Sequence, residues 1–351
     1  MQGSDYQAVR DGGAGIIDLS SRGRITVSGS EAVMFLNGLI TNDMKTLEPF
    51  HWMPAVFPNV QGRFIAAVRV IRLGDEDNKP RFLLDTEAAT HHAMFKTIER
   101  FTMAGDFKVI DVTEQTSCFS VQGKQALVRV CSIVDLDRPP DRNHAAEIRW
   151  NNAAATIIRA THSAEDGADV IVDKQNARAL WTQLIQAGAI AVDQETFDTL
   201  RIEAGVPQFG KDMDETNVVS ETNLDDAISF TKGCYIGQEI IARIKYRGHV
   251  AKKLTGLTFE DNRMPAPLSV IRSSDGKEIG RITSPTFSQS LNRAVALGYV
   301  RYEYLTAGTQ VVVGEESLGA KVNELPFVRG SWYEEPPIST DDSDKKQEIT
   351  S

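Results

Sequence analysis

Cysteine is scarce in this chain, and the spacing of the few cysteines excludes two kinds of stabilised fold. The 351 residues contain Cys118, Cys131 and Cys234, an odd number in which no two show the close spacing of zinc ligands. Neither a disulfide framework nor a structural zinc site is therefore indicated. The sequence predicts a protein of a reducing, cytoplasmic environment without a metal site.

Long apolar runs are also absent. No stretch approaches the roughly 20 apolar residues of a transmembrane helix. Asp5, Asp11 and Asp18 lie where a secretory signal would be apolar and an organellar presequence would lack acids. The formal net charge of -10 disfavours attraction of the whole surface to nucleic acid or to an anionic membrane. We expect no membrane and no direct nucleic-acid partner, and local recognition of any anionic ligand.

The elements that are present indicate a mixed fold. With 41% hydrophobic residues, the chain is long enough to bury two or three cores. Ser28 and Glu31 form a capping-box pattern ahead of apolar residues at helical spacing, which predicts a helix starting at Ser28. Helices and strands are intermixed, so the fold class is α+β. Strands are predicted over 23–28, 63–73 and 81–85, and two further helices over 177–185 and 197–204.

The end of the chain differs from its body. From Lys253 onward, short β-type runs separated by turn residues predict a small antiparallel barrel or sandwich. The polar, proline-interrupted segment 137–142 predicts a crossing between domains. Residues 334–351 are rich in charged and small polar residues, so we expect a disordered tail.

One segment closely resembles a known signature. Residues 232–239 read Lys-Gly-Cys-Tyr-Ile-Gly-Gln-Glu and resemble the K-G-C-Y-x-G-Q-E signature of YgfZ-type proteins, a branch of the glycine-cleavage T-protein superfamily. The segments 18–24, 35–43 and 199–207 are similar to other parts of that superfamily, in the same order. The signature residues are Lys232, Gly233, Cys234, Tyr235, Gly237, Gln238 and Glu239.

The resemblance implies a fold, a cofactor and a process. The fold is a three-domain, cloverleaf-like ring with a central folate site, in which tetrahydrofolate or a derivative is the ligand. The process is iron-sulfur cluster assembly or repair, with assembly proteins or client enzymes as partners and tRNA modification among the dependent processes. The expected domains are 1–48 plus 145–245, an inserted 49–144, a barrel over 246–333 and the tail over 334–351.

The matching residues depart from the family pattern at its catalytic acid pair. T-proteins carry two aspartates shortly after an N-x-x-G-G element, and a carboxylate suits their cationic reaction centre. Here Ala66 and Ala67 follow Asn59 at those positions, and an alanine methyl group neither accepts a proton nor stabilises a cation. This argues against aminomethyl transfer. Asp43 is a substitute acid only if the fold brings it to the centre.

Folate recognition is assigned by the same resemblance. Asp169 stands where the superfamily has a pterin-binding glutamate, and His162 stands where it has a tyrosine. A carboxylate there accepts paired hydrogen bonds from the pterin. Arginines bind the carboxylates of the folate tail, and the candidates are Arg201, Arg243 and Arg247. For Arg201, an ion pair with Asp198 in the same helix is an equally good interpretation. For Arg243 and Arg247, a solvated surface would be the preferred interpretation without the signature motif beside them.

Cys234 is the candidate reactive thiol, because the signature centres on it and Lys232 and Arg243 bring positive charge nearby. The alternative is a small packed residue. Three functions stay open at this point: a folate-dependent accessory factor, favoured by the signature; an aminomethyltransferase, favoured by the superfamily; and a scaffold without folate, suggested by His162 and the shortened acid at Asp169. Titration with folate and an assay of aminomethyl transfer distinguish the three.

Overall fold

The computed structural model describes residues 4–102 and 105–334, in which α-helices are interspersed among strands up to residue 247 and strands with short 3-10 turns follow. The α-helices of this part of the chain are α1 (Ser4–Arg10), α2 (Ala32–Leu39), α3 (Ala88–Glu99), α4 (Ala126–Val134), α5 (Ala177–Gln186), α6 (Gln194–Glu203) and α7 (Gln238–Arg247). None of these helices is long and apolar enough to cross a membrane.

The strands form two open sheets and one closed barrel. They are β1 (Gly15–Asp18), β2 (Gly23–Ser28), β3 (Trp52–Pro58), β4 (Phe64–Arg72), β5 (Arg81–Thr86), β6 (Lys108–Asp111), β7 (Thr116–Gln122), β8 (Ala145–Trp150), β9 (Ala153–Arg159), β10 (Gly167–Asp173), β11 (Ile190–Ala191), β12 (Lys252–Phe259), β13 (Val270–Ser273), β14 (Glu278–Ser288), β15 (Arg293–Arg301), β16 (Gln310–Val313) and β17 (Leu318–Asn323).

The two open sheets pack against each other and are each covered by helices. The first has the order β11-β1-β7-β10-β9-β8, and the second has the order β3-β4-β5-β2-β6. Leu180 and Leu184 of α5 pack on the first sheet, and Leu36 of α2 and Met94 of α3 pack on the second. A further apolar cluster contains residues of both sheets, so burial holds them together as one body.

The barrel closes in the order β12-β15-β14-β13-β16-β17, with every pairing antiparallel. Side chains alternate between its interior and its outer face. The outer face packs against Ile202 of α6 through Leu254, Val295, Leu297 and Tyr299. The predicted α+β class and the C-terminal antiparallel barrel are confirmed.

The predicted start of the first amphipathic helix is wrong. Ser28 is the last residue of β2, where it pairs with Arg81 on one side and Lys108 on the other, and α2 begins only at Ala32. The carboxylate of Glu31 accepts from the backbone N–H of Asp106 at 2.6 Å rather than closing a capping box. Sheet pairing on both sides of Ser28 outweighs a local helix signal.

The predicted domain boundaries stay a prediction. The sheet order shows that the N-terminal part of the chain contributes strands to both open sheets. β2 lies in the second sheet beside β5 and β6, whereas β1 and β7 lie in the first sheet. The segment between α4 and β8, which contains Pro139 and Pro140, has no regular structure. The predicted tail over 334–351 lies outside the described residues except for Glu334.

Candidate functional site

A cavity of about 590 Å³, here called the central cavity, lies where both sheets, α6 and the C-terminal segment meet. Strands β3, β4 and β5 form one wall, and the turn after β9 and α6 form another. The segment 206–213 and the 3-10 turns Asp225–Ala227 and Ser331–Tyr333 complete it. The lining includes Trp52, Ala67, Arg69, Glu87, His162, Phe197, Arg201, Met213, Asp226 and Trp332.

A chain of alternating charges, the buried ion chain, forms part of one wall of this cavity and extends beneath it to Asp169. Asp85 accepts from Arg22 Nε at 2.8 Å and from Arg69 Nη2 at 3.0 Å. The same Arg69 nitrogen donates to Asp169 Oδ2 at 2.5 Å. The Nε2 atom of His162 lies 3.0 Å from that carboxylate oxygen. Each buried charge therefore has an opposite charge beside it, as burial requires.

The ion chain keeps its carboxylates ionised despite their burial. Burial raises the pKa of Asp169, but the charges of His162 and Arg69 and their hydrogen bonds outweigh it and hold the pKa well below its usual range. Burial also raises the pKa of Asp85, but the charges of Arg22 and Arg69 outweigh it and lower the pKa below its ordinary value. These two acids therefore act as fixed negative charges at neutral pH.

Two other carboxyl groups line the cavity and behave differently. Burial raises the pKa of Glu87 above its ordinary value, against the opposing effect of Arg22. The Glu87 carboxylate accepts from the backbone N–H of Phe209 at 3.1 Å. Burial also raises the pKa of Asp226, on the opposite wall. Groups of this kind are suited to proton transfer at a cavity surface.

The structure brings His162 and Arg201 to the central cavity and places Asp169 just beneath it. Asp169 is fully buried, so direct contact with a ligand requires Arg69 or His162 to move aside. Arg243 is exposed on α7 and does not line the cavity, so it is not brought together with the other three. The side chain of Arg247 lies outside the described residues.

Arg201 makes the helix ion pair that its spacing predicts, and more. Its Nε donates to Asp198 at 2.6 Å, and its Nη1 donates to Asp212 at 2.6 Å. Its Nη2 donates to Ser284 of the barrel at 2.9 Å. Arg201 therefore joins α6 to the barrel while one side of it borders the cavity.

Ala66 and Ala67, expected at the positions of the family's acid pair, lie in different surroundings. Ala66 points into the core of the second sheet and is fully buried, whereas Ala67 lines the central cavity. Only the second position of the pair therefore faces a ligand. Asp43 is not among the lining residues, and its carboxylate accepts from the backbone N–H of Lys45. It therefore supplies no carboxylate to the central cavity.

The signature segment is anchored by Lys232. Its buried ammonium donates to three backbone carbonyls at the end of α2 and just beyond it: Asn37 at 2.8 Å, Ile40 at 2.8 Å and Asn42 at 2.6 Å. Burial lowers the pKa of Lys232 to about 8. Its charge is engaged with these carbonyls, the negative end of the helix dipole.

The other signature residues hold the segment in place, and Cys234 and Glu239 are the signature side chains that are exposed. Tyr235 is buried, with the Lys232 ammonium 4.9 Å from its ring centre. Gly237 has φ +80, and a Cβ there would meet the carbonyl oxygen of Asn59 at 2.5 Å. Gln238 and Glu239 begin α7. Cys234 is exposed, together with Gly233, between these two anchors.

Several cavity residues were missed from the sequence. Arg22, Arg69, Asp85, Glu87 and Asp226 were not singled out, although Arg69 and Asp85 lie inside predicted strands. Charged residues in half-buried strands were the available signal, because such side chains require partners. Among residues 4–102 and 105–334, no three His, Cys, Asp or Glu side chains are grouped to hold a metal ion.

Comparison with known proteins identifies the family. A family model described as the GCVT N-terminal domain matches residues 1–232. A second model, the glycine cleavage T-protein C-terminal barrel domain, matches residues 252–329. The chain belongs to the glycine cleavage T-protein family. The predicted superfamily is thus confirmed, whereas most of the signature segment lies between the two matched ranges, so the YgfZ-type subgroup stays a prediction.

Relatives of this family member cover nearly its whole length. It is 30% identical over 332 residues to an aminomethyltransferase of Rubrobacter xylanophilus, covering 93% of this chain and 86% of that protein. A putative chloroplastic transferase of Arabidopsis thaliana is 26% identical over 321 residues, covering 91% and 72%. The crystal structure of glycine cleavage system aminomethyltransferase T from Bartonella henselae has a TM-score of 0.84 at 24% identity, covering 93% and 89%. That likeness shows the T-protein fold.

Proposed function

We propose that the central cavity binds tetrahydrofolate or a derivative, and that the protein acts on folate-borne one-carbon groups or serves as a folate-dependent accessory factor. The observation that carries the proposal is the wall formed by Trp52 and Arg69. The Arg69 guanidinium carbon lies 5.5 Å from the Trp52 ring centre, and its Nε has no hydrogen-bond partner among the described residues. A planar ring with carbonyl acceptors fits such a wall. The cavity volume is in the usual range for small-molecule sites.

Asp169 acts in this proposal mainly through its neighbours. Its carboxylate holds Arg69 Nη2 and His162 Nε2, so that the guanidinium and the imidazole are presented to the cavity in fixed positions. Direct pairing with a pterin would exchange one of these partners for the ligand. Arg201 and Arg243 are proposed for the carboxylate tail, and Arg243 only for a ligand that extends as far as α7.

Aminomethyl transfer is the candidate activity that the relatives favour. Two of the proteins above are named aminomethyltransferases, and the similarity covers more than nine-tenths of this chain. Ala67 removes the acid that the family pattern places on the cavity wall, so the carboxyl groups left to move a proton are Glu87 and Asp226. Transfer by this protein would therefore depend on those two residues.

An accessory role in iron-sulfur cluster assembly or repair is the second candidate. It is favoured by the Lys232–Glu239 signature, which presents Cys234 at the surface while the surrounding residues hold the loop in place. In this role the protein binds folate without methylene transfer, and its partners are assembly proteins or client enzymes.

Calorimetric titration with tetrahydrofolate and 5-formyltetrahydrofolate tests the proposal. We expect saturable binding that is strongly weakened in Arg69→Ala, with Arg263→Ala on the barrel surface as the matched control. Absence of binding to the wild-type protein would overturn the folate proposal. If folate binds, turnover with an aminomethyl donor would favour aminomethyl transfer. Folate binding without turnover, together with loss of iron-sulfur enzyme activity in a deletion strain, would favour the accessory role.

A further inference from the structure

A second cavity, here called the barrel cleft, lies between the segment 210–217 and the outer face of the barrel. Its volume is about 490 Å³. One wall is the loop that carries Asp212 and Asp214, and the other is formed by β14, β15 and the start of β12. None of the residues proposed to bind folate in the central cavity lines this cleft.

The barrel wall of the cleft carries three cations on one face. Tyr299 and Arg301 are two residues apart on β15 and therefore point to the same side. Lys252 pairs directly with Arg301, and Arg281 pairs directly with Tyr299, so all four side chains share the outer face. Among the described residues, no carboxylate lies within 4.0 Å of Lys252, Arg281 or Arg301, although other lysines and arginines of the chain are paired.

A buried donor without a partner lies among these cations. Tyr299 is 7% exposed, and its hydroxyl group has no hydrogen-bond partner in the part of the chain that the structure describes. The ammonium of Lys252 lies 4.8 Å from its ring centre. Burial, followed by the charges of Glu221 and Asp212, raises the pKa of Tyr299, so the hydroxyl group keeps its proton. A ligand that accepts a hydrogen bond would satisfy it.

The opposite wall supplies acceptors. Asp214 lines the cleft from the loop and also accepts from Thr216 at 2.8 Å, whereas Glu278 lines the cleft from the barrel side, at the start of β14. A ligand that fits both walls therefore needs acidic groups for the barrel and N–H donors for the loop. A simple inorganic anion meets only the first of these requirements.

The barrel cleft adjoins the central cavity. The side chain of Met213 lines both. Arg201, which borders the central cavity, donates to Asp212, which borders the cleft, at 2.6 Å. Met213 and the Arg201–Asp212 pair therefore lie between the two cavities, and the acidic end of a ligand bound near Arg201 would be directed toward the cleft.

We propose that the barrel cleft is a subsite for the γ-linked glutamate units of a polyglutamylated folate. Each unit carries one carboxylate for Arg281, Arg301 or Lys252 and one amide N–H for the loop acids. This inference rests on the proposed folate binding and extends it from the ring to the length of the tail. Ligand length thereby becomes a determinant of affinity.

The test compares 5-formyltetrahydrofolate with its triglutamate form by calorimetric titration of the full chain. Because exposed charge pairs contribute modestly and two or three act together, we expect the triglutamate to bind about 10-fold tighter than the monoglutamate. The double variant Arg281→Ala/Arg301→Ala should lose this advantage while binding the monoglutamate as the wild-type protein does. Arg293→Ala, an exposed arginine at the other end of β15, is the matched control and should keep it. Higher salt should reduce the advantage.

The outcomes separate the two proposals. If the monoglutamate fails to bind, the folate proposal falls. If mono- and triglutamate bind the wild-type protein equally, folate binding stands and the subsite is refuted. If an α-linked glutamate peptide without a pterin binds as tightly as the triglutamate, and the double variant loses that binding, the cleft takes an acidic peptide and the folate-tail assignment is overturned.

Discussion

At the scale of single residues, the carboxylate of Asp169 shows how burial and charge compete. It is completely excluded from solvent, and Arg69 and His162 keep it ionised there. Removing one member of such a pair leaves the other buried without compensation, which costs more than the intact pair contributes. The cavity wall above Asp169 therefore depends on a group that no ligand touches in this arrangement.

Asp169→Asn tests this dependence through pH. We expect the variant to lower the free energy of unfolding by about 3 kcal/mol at pH 7. Because the folded-state pKa of Asp169 lies below its unfolded value of about 3.9, the carboxylate stabilises the fold in full above that value. The contribution begins to fall below the unfolded value and is lost as the pH falls through the folded-state pKa. Urea unfolding between pH 7 and about pH 2 should show a smaller loss of stability in the variant.

The matched control is Asp261→Asn, an exposed carboxylate paired with the exposed Arg263, which should behave like the wild-type protein. Parallel pH curves for the wild-type protein and Asp169→Asn would show that Asp169 is not held ionised by the fold.

Ala67 gives a second residue-scale prediction, about activity. It lines the central cavity at the position where the family pattern has the second aspartate, so Ala67→Asp restores a carboxylate facing the ligand. A positioned proton-transfer group contributes on the order of 100-fold or more to a rate. We expect aminomethyl transfer to rise by about 100-fold in this variant, measured as tetrahydrofolate-dependent turnover.

Ala67→Asn is the control for this substitution, since it has the same shape without the charge. Equal rates in the two variants, with folate binding retained in both, would mean that the alanine is not what limits transfer.

At the scale of secondary-structure elements, the signature segment and α2 form one unit. Lys232 caps the C-terminal carbonyls of α2, and the backbone N–H of Ile236 donates to the carbonyl of Gly38 at 3.1 Å. The exposed loop with Cys234 is thus held on the end of a helix whose apolar side lies in the core of the second sheet. The motif therefore fixes the position of the loop and also leaves the thiol of Cys234 exposed.

Lys232→Met should weaken the contact between the signature segment and α2. The apolar part of the side chain is retained, but three backbone carbonyls lose their donor, and we expect a loss of about 3 kcal/mol in unfolding free energy. Amide exchange of α2 should also accelerate, which hydrogen-exchange mass spectrometry measures. Lys277→Met, an exposed lysine in the turn before β14, is the control. An unchanged exchange rate in α2 would refute the capping role.

At the scale of the whole molecule, one buried carboxylate joins distant parts of the chain. Glu203 at the end of α6 accepts from Tyr6 at 2.7 Å, from Arg10 at 2.7 Å and from Ser288 of the barrel at 2.6 Å. Its backbone oxygen accepts from Phe327, near the segment that forms the C-terminal wall of the cavity. Helix α1, the barrel and that wall therefore depend on the same residue.

Glu203→Gln should loosen these parts together. The amide retains one acceptor but loses the charge that pairs with Arg10, so we expect a loss of about 2 kcal/mol in stability. Exchange protection should fall jointly in α1, β14 and the segment 326–333. Glu195→Gln, an exposed residue in the first turn of α6, should leave protection in all three unchanged. Loss confined to α6 in Glu203→Gln would contradict a joining role.

Periodicity and composition by themselves determined the α+β class, the strands around 63–73 and 81–85, the helices around 177–185 and 197–204 and the C-terminal barrel, because these patterns express local burial. The motifs determined the superfamily and led to the expectation of alanines at the acid-pair positions. Only the tertiary structure decided that the first amphipathic helix begins at Ala32 instead of Ser28, that Asp169 lies beneath the cavity instead of in its wall, and that Arg243 does not line it. The physical reason is that pairing across a sheet and compensation of buried charge depend on partners far apart in sequence, such as Arg69 and Asp169, which no local pattern reveals.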